Sequence, residues 1–260
     1  VQGIDVFGVN CLRVKEKLEN CKKIIAVSNF TKEHLVKELN YNNKIEVINN
    51  CVDLNTFTYK PKKYYENGIL KLLTVGRLSS SEQYKGHDLV IQALSKIVNK
   101  TTTIQYSIVG DGDDIQRLQK LVKDLKLEQY VDFKGKLPFE NILEEYEKCD
   151  LFIMPSFFMK KNDGSYTGEG FGIVYIEAGA IGRPVIGCNI GGQTDCIIDN
   201  YNGRLVNPQV DDITEKILFF INKRDKLEEM GKNNRNFVEE NFSFSTFRNK
   251  ILKLVENNNV

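Results

Sequence analysis

Between residues 69 and 221 the chain alternates short, continuously apolar runs with stretches whose apolar residues recur at helical spacing. Residues 69–75, 104–109, 131–134, 151–154, 184–187 and 204–206 read as strands. Residues 87–98, 113–125, 139–148, 173–181 and 211–221 read as the helices between them. The first of these helices carries Val90, Ile91, Leu94, Ile97 and Val98 on one face; the second carries Ile115, Leu118, Leu121, Val122 and Leu125. Strands that are apolar throughout must be covered on both faces, and strands joined by helices run parallel. The pattern therefore predicts an α/β domain with a parallel sheet between two helical layers. In such sheets ligands bind at the carboxyl ends of the strands.

The first sixty residues form a smaller block. Residues 24–27 and 45–48 read as strands, and 29–39 as a helix with Leu35, Val36 and Leu39 apolar. Two strands and one helix cannot bury both faces of a sheet, so residues 1–58 read as the remnant of a domain whose beginning lies elsewhere. Residues 59–68 are expected to be a linker, with Lys60-Pro61-Lys62-Lys63 solvated. The main domain spans 69–241. Residues 242–260 hold a final helix, expected to be capped by Ser245 and to carry Phe247, Ile251 and Leu254, with 257–259 frayed.

A net charge of +1 gives no global field for nucleic acid. No run is long and apolar enough to span a bilayer, and no signal peptide opens the sequence. Cysteines at 11, 21, 51, 149, 188 and 196 form no C-x-x-C pair, and His34 and His87 lie far apart, which is not metal-ligand spacing. The cysteines read mostly as small hydrophobes in a reducing cytosol. His34 is expected to face solvent, and His87 to start a helix.

Glu169-Gly170-Phe171-Gly172-Ile173-Val174-Tyr175-Ile176-Glu177 concentrates the chemistry. Two glycines free the turn to point backbone N–H groups outward, and the first turn of the helix that follows leaves its own N–H groups unpaired. That makes an anion site suited to phosphate. The flanking carboxylates suit hydroxyl groups instead. A ligand with phosphate in the middle and polyols at both ends fits. Arg77, after Gly76 at the end of a strand, and Lys85, at the next helix start, could together neutralise a diphosphate.

Other motifs compete less well. Gly110-Asp111-Gly112 mimics half of a dinucleotide fingerprint, but Ile115 stands where the third glycine belongs. Asp113 and Asp114 read instead as carboxylates capping a helix start. Asp111-Gly112-Asp113 matches an Asp-x-Asp metal motif but reads as an acidic turn. Asp163-Gly164-Ser165, after Lys160 and Lys161, reads as a mobile loop that orders over the donor.

The ordered series Val75-Gly-Arg-Leu78, Lys85-Gly-His-Asp-Leu89, Val109-Gly-Asp-Gly112, Phe133-Lys-Gly-Lys-Leu137 and Asp150-Leu-Phe-Ile-Met-Pro-Ser156 resembles the family 4 retaining glycosyltransferases of GT-B fold, the glycosyltransferase group 1 domain. The Glu169/Glu177 motif, Gly182-Arg-Pro-Val-Ile186, Gly191-Gly192 and Asn202-Gly-Arg-Leu-Val206 continue it. Ile24-Ile-Ala-Val-Ser-Asn-Phe-Thr31 and residues 45–57 resemble the end of that family's N-terminal, acceptor-binding domain. The resemblance implies a complete Rossmann-like donor domain, a partial N-terminal domain, and a C-terminal helix that crosses back toward it.

It also implies roles. Arg77 and Lys85 would hold the donor's diphosphate without a metal or other cofactor, and Glu169 would contact the sugar near the reacting carbon. The amides of Gly170, Phe171, Gly172, Ile173 and Val174 would face sugar and distal phosphate. Glu177 would bind the ribose, and backbone near Lys136 and Leu137 the base. The donor would be a UDP- or GDP-linked sugar and the acceptor a glycan or lipid-linked hydroxyl. The setting would be cytoplasmic, with peripheral contact at the inner membrane face through the N-terminal region. The family's Gly-rich loop has no counterpart here, and Gln2 aligns where the family often has a histidine. Two other readings stay open: a donor-binding module inactive without a separate acceptor domain, and a nucleotide-sugar epimerase.

Overall fold

A computed structural model of the chain describes residues 1–8, 16–18, 20–39, 45–98 and 103–256. Cys11, the side chain of Leu39 and the tail 257–259 lie outside the described residues. The N-terminal block has a short helix α1 (Gly3–Val6), strand β1 (Ile24–Ala26), helix α2 (Asn29–Leu39) and strand β2 (Ile45–Val47). β1 and β2 pair in parallel. The main domain continues with β3 (Leu70–Val75), α3 (His87–Val98), β4 (Ile104–Val109), α4 (Ile115–Asp124) and β5 (Val131–Gly135). Then come α5 (Phe139–Lys148), β6 (Leu151–Ile153), a hairpin of β7 (Met159–Lys160) and β8 (Tyr166–Thr167), α6 (Ile173–Ala180), β9 (Val185–Cys188) and β10 (Gly203–Val206). Helices α7 (Val210–Asn222), α8 (Asp225–Phe242) and α9 (Phe244–Glu256) close the chain.

The six long-domain strands form one sheet in the order β10-β9-β6-β3-β4-β5, with every pairing parallel. Successive strand residues face opposite layers. Leu72, Leu151 and Ile186 pack with Val90, Ile91, Leu94, Ile217 and Phe220 on one side. Leu73, Phe152 and Val185 pack with Tyr146, Tyr175, Ile176 and Val238 on the other. Both faces are buried, as continuously apolar strands require. The expected helices and strands all appear, with ends shifted by a residue or two; α4 differs most, starting at Ile115.

Four expectations change. His34 does not face solvent: it is buried in an edge-to-face cluster with Phe7, Phe158 and Tyr166. Asp113 and Asp114 do not cap α4 with their side chains. Asp113 accepts from the Ser80 amide and hydroxyl, and Asp114 pairs with Arg117 at 2.6 Å. The final helix is capped by Ser243, whose hydroxyl takes the Thr246 amide at 3.2 Å, and not by Ser245. Residues 59–68 are docked, not free. Lys62 pairs with the buried Asp150 at 3.2 Å, and the Tyr64 hydroxyl donates to Gly182 O at 2.6 Å. The glycines of Gly110-Asp111-Gly112 serve close approach: a Cβ on Gly110 would stand 1.8 Å from Gly76 O.

His87 begins α3, as expected, and is buried with Nε2 lacking a hydrogen-bond partner. Burial, then the Lys85 ammonium, pushes its imidazole from 6.5 down to about 3. The native ring is therefore neutral, whereas the unfolded chain binds a proton below about 6.5. Stability is expected to fall as pH drops through the window from 6.5 toward 3, by roughly 2 kcal/mol between pH 7 and pH 5. Urea denaturation at the two pH values should show a shallower loss in His87→Leu. An unchanged loss would exclude His87 as its source.

Candidate functional site

The chain leaves β3 toward β4 and β5, then returns to the far side of β3 to form β6. Connections diverge at that pair of strands, which opens a crevice above their carboxyl ends. A cavity of about 640 Å³ lies there, within the range of pockets that enclose a small-molecule ligand. Gly76 and Arg77 follow β3 into it. Met154 marks the end of β6, and Glu169 through Val174 form a wall.

That wall is shaped by its carbonyls. Gly192 N–H donates to Glu169 O at 2.7 Å, and the hydroxyls of Ser28 and Thr31 donate to Gly170 O at 2.7 and 3.1 Å. Among the described residues no hydrogen bond uses the amides of Gly170, Phe171, Gly172, Ile173 or Val174. Gly172 takes the left-handed conformation at φ 89°, immediately before α6. A Cβ there would come within 2.5 Å of the Tyr175 ring. Unpaired amides at a helix start present partial positive charge to the cavity.

Opposite them stand the cations. Lys85, at the end of the turn Ser80–Lys85, is largely enclosed, with 12% of its side chain exposed; Arg77 is 75% exposed. Both pair with Glu82, Arg77 through Nη2 and Lys85 at 3.6 Å. Tyr84 also lines the cavity. Burial, with Glu169 adding to it, raises its phenol, so the hydroxyl stays protonated and can donate.

Arg77, Lys85, Glu169, Gly76 and the 170–174 amides thus come together. Glu177, Lys136 and Leu137 do not line this cavity. Glu177 accepts from the buried Tyr146 hydroxyl at 2.7 Å, and burial raises its carboxyl above the ordinary range. Lys136 is exposed and Leu137 half-buried, just after the edge strand β5. Gln2 and Gly3 line the cavity from the N-terminal block. No group of three or more His, Cys, Asp or Glu side chains converges to hold a metal among the described residues, and Asp113 is taken up by Ser80.

The sequence did not reveal how the N-terminal block meets this wall. Asp195 accepts from the Asn29 amide at 2.9 Å and from the Asn49 side chain at 2.9 Å. Ser28 also caps α2, taking the Thr31 amide at 3.0 Å. A Ser-x-x-Thr pair before a helix signals that cap and nothing about Gly170. The loop expected to be mobile is folded as the β7–β8 hairpin, whose Phe158 and Tyr166 pack on Phe7, Phe30 and His34. Its Lys161 and Ser165 reach the cavity.

The sequence profile of the family described as Glycosyl transferases group 1 matches residues 55–237, and that of Glycosyltransferase Family 4 matches residues 11–56. An uncharacterized glycosyltransferase of Methanocaldococcus jannaschii is 30% identical over 224 residues, 85% of this chain and 56% of that protein. A GDP-mannose-dependent alpha-(1-6)-phosphatidylinositol monomannoside mannosyltransferase of Mycobacterium tuberculosis is 28% identical over 232 residues, 86% of this chain and 59% of that protein. The chain spans about half the length of the curated relatives it matches. Sucrose-phosphate synthase of Thermosynechococcus elongatus superposes with a TM-score of 0.82 at 22% identity, over 99% of this chain and 66% of that one. The Anabaena protein HepE, solved with UDP and glucose, superposes with a TM-score of 0.81 at 20% identity, over 96% of this chain and 69% of that one. The fold is of the GT-B type.

Proposed function

The chain belongs to the glycosyl transferases group 1 family, and from that membership we propose that its cavity is the donor site of a sugar transfer with retention of configuration. The donor is a nucleoside diphosphate sugar, and the acceptor a hydroxyl on a glycan or lipid-linked glycan. The observation that carries this reading is that Arg77, Lys85, Glu169 and five amides with no hydrogen bond among the described residues line one cavity.

The chemistry follows from charge. As the bond between the anomeric carbon and the distal phosphate breaks, negative charge grows on the phosphate oxygens. Lys85, Arg77 and the amides ahead of α6 face that charge from fixed positions, so they stabilise the transition state more than the ground state. No metal is needed for this neutralisation. Glu169 accepts hydrogen bonds from sugar hydroxyls and orients the ring. The departing phosphate takes the acceptor's proton as the new bond forms on the same face. Glu177 receives the ribose and the backbone near Lys136 and Leu137 the base, with the nucleoside running from the cavity along the sheet edge toward β5. The names of relatives that use GDP-mannose or were solved with UDP support a guanosine or uridine donor.

A thermal-shift series with UDP, GDP and ADP tests the reading. At a hundredfold excess over Kd, the matching nucleotide should add about 2.7 kcal/mol of stability. That corresponds to a rise in Tm of roughly 5–10 °C for a chain of this size. No rise with any nucleoside diphosphate at millimolar concentration would refute the donor site.

A further inference from the structure

The two cations that line the cavity already hold a carboxylate of the chain itself. Glu82 Oε1 pairs with the Arg77 guanidinium, and its Oε2 stands 3.6 Å from Lys85 Nζ. Oε2 is closed off from solvent and accepts no hydrogen bond. A shielded carboxylate oxygen near an ammonium, but too far to bond it, has lost water without full replacement. The arrangement is serviceable for an empty site and inferior to what a phosphate oxygen could make with the same cations.

The backbone here allows Glu82 to leave while the cations stay. The turn Ser80–Lys85 is fixed on both sides of it. Asp113 takes hydrogen bonds from the Ser80 amide and hydroxyl at 2.8 and 2.5 Å, and Gln83 donates to Asp114 at 3.1 Å. Between these anchors Glu82 departs from helical geometry, with φ −119° and ψ 28°. Its side chain borders the open cavity, so rotation about its own torsions carries the carboxylate into water.

Resting on the donor-site reading above, we propose that Glu82 is the internal counterion of the diphosphate subsite, paired with Arg77 and Lys85 when the site is empty and displaced when a diphosphate binds. A diphosphate offers two anionic groups and satisfies both cations at once, while the freed carboxylate regains its hydration. A lone phosphate must drive off the same carboxylate with fewer contacts. Glu82 therefore sets a threshold that favours diphosphates over single anions. It also hastens release of the nucleoside diphosphate product by returning to the cations.

Calorimetry with inorganic phosphate, UDP and GDP on the wild type, Glu82→Gln, Glu82→Ala and Arg77→Ala tests this. Glutamine keeps the shape and removes the charge; alanine removes both, and either variant suffices if the other fails to fold. Both Glu82 variants should bind the nucleoside diphosphate about tenfold tighter than the wild type. Inorganic phosphate should gain by a larger factor, which narrows the preference. Equal or weaker diphosphate binding in a folded Glu82 variant, with binding still weakened in Arg77→Ala, overturns the counterion and leaves the donor site standing; Glu82 is then a strut that orients the two cations. Absence of nucleoside diphosphate binding in the wild type and every variant removes the donor site and the counterion together.

Discussion

Lys85→Ala is expected to weaken nucleoside diphosphate binding about a hundredfold, and Arg77→Ala only about tenfold. The ranking comes from burial. Lys85 lies within the cavity with 12% of its side chain exposed, so its charge acts where water screens little. Arg77 is 75% exposed, and an ion contact in that setting contributes far less. If the chain turns over with a supplied acceptor, Lys85→Ala should also lower kcat by roughly 10²–10³, because charge on the leaving phosphate is greatest in the transition state. Calorimetry with UDP and GDP settles the order of the two. A larger loss in Arg77→Ala would mean that the exposed guanidinium, not the enclosed ammonium, carries the diphosphate.

Gly192→Ala is expected to destabilise the protein by about 3 kcal/mol or more and to remove donor binding in what remains folded. A Cβ at this buried position would stand 2.0 Å from Gly170 O, 2.1 Å from its carbonyl carbon and 2.4 Å from Phe171 N. These are backbone atoms, so no side-chain rotation relieves the overlap. The segment that must move is the cavity wall formed by residues 170–174, and Gly192 also donates the bond that holds Glu169 O. Gly135→Ala is the control. It is a glycine with positive φ whose Cβ meets nothing within 4 Å, so it should cost only the local backbone strain. Chemical denaturation of both variants tests this. A Gly192→Ala protein as stable as Gly135→Ala would show that the wall yields easily.

The N-terminal block bears on the same wall. Ser28 and Thr31 hold the carbonyl of Gly170, the residue after Glu169. Movement of the block therefore changes the geometry around Glu169.

The architecture was legible because its signals are local. Apolar runs without alternation, helical spacing such as Val90, Ile91, Leu94 and Ile97, and turns rich in glycine each specify an element from neighbours in sequence. Their β-α alternation then leaves a parallel sheet as the way to bury both strand faces, and the sheet shows it. The anion wall was legible for the same reason: Gly170-Phe171-Gly172 ahead of a helix announces free amides within five residues. What the sequence could not show was where polar groups find partners across long separations. His34 stands on a helix that reads as half exposed, yet Phe158 and Tyr166 bury it from a hairpin more than a hundred residues away. Glu177 reads as a ribose-binding carboxylate, and nothing in its spacing shows that the Tyr146 hydroxyl, 31 residues away, donates to it. Periodicity carries the burial of segments, since a segment's apolar face is written in its own residues. The pairing of charges and hydroxyls depends on distances between segments, and only the packed tertiary structure fixes those.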